Sequence, residues 1–139
     1  MRRLLGISLA AACAVAFGSA PARAETPADF LASFERSART SDNTFDRFSG
    51  QRGEHFFNAK HGGEWSCASC HTSNPAASGK HTKTGKSITP LAPGANTERF
   101  TNPAKVAKWF KRNCNDVLNR ECTAQEKGDV LAYLLSVRP

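Results

Sequence analysis

The stretch from Ser73 to Asn96, "SNPAASGKHTKTGKSITPLAPGAN", is rich in Gly, Pro, Ser and Thr and has no hydrophobic periodicity of its own. At 139 residues the chain is one domain and no more. A loop this long is uncommon inside so small a domain, which has little apolar surface from which to build a core. The loop therefore has to wrap something that the polypeptide does not itself provide.

The flanking segments read as helices. Thr26-Pro27 is a cap followed by proline at the first helical position, opening an amphipathic stretch to about Arg39. A second helix is expected from about Phe45 to Lys60, with Phe45, Phe48 and Phe56 on one face and Gly50 and Gly53 weakening it. Asn102-Pro103 opens a third, in which Val106, Trp109 and Phe110 share a face. Thr123 to Glu126 is a capping box that starts the last helix, with Val130, Tyr133, Leu134 and Val137 facing inward. No strand-type alternation, internal repeat or low-complexity tract is evident, so the expected class is all-α.

Cys67-Ala-Ser-Cys70-His71 stands just before the loop. Two thiols three positions apart can add to the two vinyl groups of haem, and the histidine that follows is then placed under the iron as proximal ligand. The adjoining histidine sets this apart from a bare C-x-x-C. A zinc site built from Cys67, Cys70, Cys114 and Cys122 has the ligand count of an all-thiolate tetrahedron, but it explains neither His71 nor the loop. A thioredoxin-like redox pair needs a βαβ context, which is absent. One covalently attached haem c is the expected filling of the core.

The N-terminus has a basic start (Arg2, Arg3), an apolar run from Leu4 to about Ala20 and a small-x-small site at Ala22-Arg23-Ala24. That pattern is a secretory leader cleaved after Ala24, too short and too alanine-rich for a permanent span. Cys13 lacks the large aliphatic residue that precedes a lipidation site and reads as part of the leader. Cleavage removes Arg2, Arg3 and Arg23 from a formal charge of +7, together with Met1, the single methionine. The mildly basic remainder favours an acidic protein partner and does not call for nucleic acid. Four cysteines are left, an even number that permits disulfides in an exported chain. The expected organisation is a leader over 1–24, a helical extension over 25–44 and a monohaem domain over 45–139, located in the periplasm.

"RGEHFF" and "DVLAYL" resemble the first and last core helices of class I cytochromes c, with Gly53 and Phe57 crossing Val130 and Tyr133. A glycine lets two helix backbones approach, and the rings fill the contact. The resemblance covers nearly all of the chain beyond about Phe45. Electron-carrying class I cytochromes usually offer methionine as the second axial ligand, which the cleaved chain lacks. His55, His61, His81, a lysine, an asparagine or no residue then remain as candidates. His55 and His61 read as solvent-edge residues, and His81, near Lys80 and Lys83, is the best histidine.

The stretch from "TGKSITPLAP" through "KWFKRNCNDVLNREC" to "DVLAYL" closely resembles the sphaeroides haem protein family of oxygen-binding class I cytochromes c. The resemblance implies that Asn113, immediately before the first of two cysteines, ligates the oxidised iron, and that Cys114 and Cys122 are bridged. Asn115 competes if the register shifts by two. An amide oxygen is a hard, weak donor suited to ferric rather than ferrous iron. Reduction would release it and open the sixth position to dioxygen, nitric oxide or carbon monoxide. The resemblance further implies a redox partner, a dihaem cytochrome c linked to a membrane cytochrome b, for which Lys105, Lys108 and Arg112 offer a basic helical stripe. It extends to turnover such as nitric oxide dioxygenation, although the residues themselves specify none. The rival reading is an electron carrier with His71 and His81 as its two axial ligands and no gas binding.

Overall fold

The structure, a computed structural model, describes residues 24–139. The leader expected over 1–24, Cys13 included, lies outside the described residues except for Ala24. Among the described residues five helices carry the fold: α1 (Pro27–Ser41), α2 (Gly50–Asn58), α3 (Cys67–His71), α4 (Pro103–Leu118) and α5 (Ala124–Ser136). The class is all-α, as the sequence implies. No helix among the described residues is long and apolar enough to cross a membrane.

The cap residues set the helix starts. Thr26 and Asp29 close a capping box ahead of α1, with Pro27 at its first position. Asn102 caps α4 through a bond from the Lys105 amide, and Thr123 with Glu126 closes a second box at α5. α2 departs from expectation, starting at Gly50 rather than near Phe45 and ending at Asn58 rather than Lys60. Ser49 caps it, and the buried Asp129 of α5 pins that end by accepting from Ser49 N at 2.6 Å and from Arg52 Nε at 2.8 Å. Phe45 and Phe48 therefore precede the helix, their ring centroids 5.0 Å apart.

α2 and α5 cross at Gly53. A Cβ at that position would run into the Asp129 carbonyl, so only glycine permits the approach. Beside the crossing, Phe57 meets Tyr133 at 5.6 Å between centroids. Phe57, Val130, Leu131, Tyr133 and Leu134 form the heart of the core, joined by Phe100 and by Phe30 from α1. α1 thus shares one core with the rest of the domain.

The long loop is less irregular than its sequence suggests. It holds a short antiparallel hairpin, β1 (Gly79–Lys80) against β2 (Ser87–Ile88). Two-residue strands are too short for alternation to be visible in sequence. Gly79 lies against the Cys70 and His71 backbone, leaving no space for a side chain. The Pro75 carbonyl ties the loop back, accepting from the Leu91 and Ala92 amides at 2.8 and 2.9 Å. On α4, Val106 and Phe110 pack against the core as expected, but Trp109 does not and stays 45% exposed. Its ring is flanked by cations, Lys108 at 5.5 Å and Arg112 at 5.7 Å.

Candidate haem site

α3 is a single turn held by Ser66 and Ser69, which cap each other's backbone amides. Positions three apart on a helix share a face, so Cys67 and Cys70 point the same way, with His71 next in the turn. Both thiols are free. Thr72, at φ 61°, ends the helix and turns the chain away.

Cys67, Cys70 and His71 line a cavity of about 560 Å³ whose other walls include α2, α4, α5, the hairpin turn and the segment before α4. Burial pushes the Cys67 thiol up to about 11, so it stays protonated and apolar in character. Burial, helped by the positive charge of Arg99, holds His71 down to about 4, so its imidazole is neutral. A neutral imidazole is the form that ligates a metal. Its ring makes no hydrogen bond among the described residues. The nearby loop carbonyls are taken by other donors, that of Pro75 by the Leu91 and Ala92 amides and that of Pro90 by Arg99 and Asn96.

The two asparagines separate clearly. Asn113 lines the cavity, and its side chain makes no hydrogen bond among the described residues. Asn115 lies outside the lining and spends its amide on the Lys111 carbonyl at 2.7 Å. His81 does line the cavity, but its Nδ1 faces the Lys83 and Thr84 amides at 3.2 and 3.3 Å. A neutral ring that accepts at Nδ1 carries its proton on Nε2 and has no lone pair there to offer a metal. His55 and His61 are not in the lining. His61 instead bonds the Phe56 carbonyl through Nε2 at 2.8 Å.

Cys114 and Cys122 form a disulfide with a Cα separation of 5.5 Å, both residues buried. That bridge removes two ligands from the zinc reading, and no cluster of three metal-ligating side chains occurs among the described residues. It joins the turn of α4 that carries Asn113 to the cap of α5.

The chemistry of the lining fits haem. Two free thiols with helical spacing, an adjoining neutral imidazole and largely apolar walls enclose a volume within the ordinary range for a cofactor pocket, roughly 300–1,000 Å³. Arg99, which spacing arguments overlooked, also lines the cavity and is anchored on Thr89 and Pro90. Only its place in three dimensions marks it.

Comparison with known proteins gives the same answer. The sequence pattern of a domain of unknown function (DUF1924) matches residues 43–134. Cytochrome c'' of Methylophilus methylotrophus is 51% identical over 88 residues, 60% of this chain and 61% of that protein. That alignment thus spans less than two thirds of the relative. Cytochrome c-type protein SHP of Cereibacter sphaeroides is 41% identical over 125 residues, covering 87% of this chain and 92% of the relative. Among solved structures, oxidised SHP, described as an oxygen-binding cytochrome c, superposes with TM-score 0.69 at 40% identity, covering 78% of this chain and 95% of SHP. The solution structure of cytochrome c'', which addresses haem-ligand detachment, gives 0.73 at 40% identity, with coverages of 81% and 94%.

Fold, site and relatives together define a c-type cytochrome with one covalently attached haem c. Within that class, the chain belongs to the SHP family of class I cytochromes c.

Proposed function

We propose that this chain is a periplasmic electron-transfer cytochrome whose sixth iron position is held by Asn113 when oxidised and opens to a diatomic gas when reduced. Cys67 and Cys70 provide the thioether bonds and His71 the proximal nitrogen. Haem c supplies a one-electron redox couple and, with its sixth position free, a site for dioxygen, nitric oxide or carbon monoxide. The observation that carries the reading is the contrast between the Asn113 side chain, which lines the cavity and makes no other hydrogen bond among the described residues, and that of Asn115, which lies outside the lining and bonds its own helix.

The Asn113 side chain presents a neutral amide oxygen, a hard and weak donor that suits the ferric charge and not the ferrous. Withdrawn, the same amide turns an NH2 donor toward an incoming diatomic. The disulfide one residue on limits how far Asn113 moves. Trp109, one helical turn before it, stands in the lining with Lys105 and Arg112, and Lys108 lies 5.5 Å from its ring. This basic face would meet an acidic electron donor, a dihaem cytochrome c linked to a membrane cytochrome b being the partner that the family resemblance suggests.

Visible spectra of the holoprotein, oxidised and reduced, with and without carbon monoxide, test the reading. A high-spin ferrous spectrum that shifts promptly with carbon monoxide is expected. A sharp low-spin ferrous spectrum indifferent to carbon monoxide would replace it with a closed electron carrier. Replacing Asn113 by alanine should abolish the ferric low-spin state. If the ferric spectrum is unchanged in that variant, another residue is the ligand.

A further inference from the structure

Arg99 sits just before α4, half-buried in the wall of the haem cavity. Its Nε donates to the Pro90 carbonyl at 2.9 Å, and its Nη2 donates to the Thr89 carbonyl at 2.8 Å and the Thr89 hydroxyl at 3.0 Å. These bonds fix the plane of the guanidinium and leave Nη1 without a partner among the described residues. Every acceptor is neutral. By contrast, Arg39, Arg47, Arg52 and Arg120 each meet a carboxylate within 3.2 Å. Glu98, next in the chain and also in the lining, makes no ion pair with Arg99.

A guanidinium keeps its charge under any ordinary condition. Removing it from water without a counter-charge is costly, and desolvation does act on Arg99, pulling its pKa down. A fixed cation lacking an anion, in the wall of a pocket built for a cofactor that bears two carboxylates, is completed by that cofactor. We infer that Arg99 holds a haem propionate, pairing it through the edge of the guanidinium left free by Thr89 and Pro90.

The anchor gives this pairing a second consequence. The residues after Pro90, Leu91 and Ala92, bond through their amides to the Pro75 carbonyl, four positions beyond His71. Arg99 therefore connects the propionate to the segment leaving the proximal histidine, and acts as a positioning residue. A propionate neutralised by Arg99 favours the ferric state less than a bare one does, so the pairing raises the midpoint potential.

The inference rests on the haem reading above, and the test separates the two. Wild type, Arg99→Gln and Arg99→Lys are purified as holoproteins, and covalent haem is verified by the pyridine haemochrome spectrum. Resonance Raman propionate-bending bands and the midpoint potential are then measured. In Arg99→Gln the bands should shift and the potential fall. In Arg99→Lys, which keeps the charge but not the planar fork, both changes should be smaller. Should the glutamine variant fail to mature, a band shift in the lysine variant decides the matter. Covalent haem with bands and potential unmoved would overturn the role of Arg99 and leave the haem reading intact; no covalent haem in the wild type would remove the haem reading itself. A wild-type potential that changes when phosphate replaces chloride, and stops changing in Arg99→Gln, would instead assign the guanidinium to a free anion.

Discussion

Asn113 and Asn115 differ by two positions, which on a helix is about 200° of rotation. That rotation places one side chain at the cavity and the other on the outer face, bonded to its own helix. Identical chemistry therefore acquires different roles from position alone. Asn115→Ala should leave the ferric and ferrous spectra unchanged and shift stability by no more than about 0.5 kcal/mol, as for an exposed surface site; equilibrium denaturation and visible spectra check both. His81→Ala should likewise leave the ferric spectrum intact, because the bonds of His81 Nδ1 to the turn amides place the proton on the nitrogen that would otherwise ligate. A high-spin ferric spectrum in His81→Ala, with Asn113 present, would return the histidine pair to first place.

At the scale of elements, the crossing of α2 and α5 is the most demanding contact. Gly53→Ala puts a methyl group into the α5 backbone, which cannot yield as a side chain would. It should destabilise by at least the ~1–3 kcal/mol typical of overpacking, read from the denaturant midpoint. α5 also depends on its start. Thr123→Ala removes the cap and should cost about 1 kcal/mol. Glu126 completes that box, and its carboxyl is held below 4.5 first by the hydrogen bond from Arg120, with burial opposing. A depressed folded value means the unfolded chain binds protons more readily, so this contribution is present above pH 4.5 and lost as pH falls through the folded value. Glu126→Gln should flatten the acid limb of a stability–pH curve without changing its slope above neutrality. The starts of α1, α4 and α5 were legible because Thr26, Asn102 and Thr123 carry cap chemistry locally. The start of α2 was not, because Asp129 sets it from 80 residues away.

For the whole molecule, the same division between local and distant explains what could be read of the site. Cys67, Cys70 and His71 declare themselves by spacing, and the bridged Cys114–Cys122 pair followed from a family resemblance rather than from any local rule. Arg99 has no motif; only the folded chain places it in the cavity wall with neutral acceptors alone. The long loop was legible as a wrapper because it lacks the means to form a core, and in the structure it walls one side of the cavity that Cys67, Cys70 and His71 line. The cavity of about 560 Å³ has a mostly apolar lining, and without a bound group that lining faces water, which is unfavourable in proportion to its apolar area. Haem-free polypeptide is thus expected to close part of that cleft or to loosen the packing around it. A Cys67→Ala/Cys70→Ala variant, unable to retain haem covalently, should keep much of its far-UV helical signal after haem extraction while losing near-UV signal and binding a hydrophobic dye. Because the Cys114–Cys122 bridge and the close approach at Gly53 are made by other residues, the helices persist as local structure. A sharp, wild-type thermal transition in the haem-free variant would show instead that the protein core is complete without its cofactor.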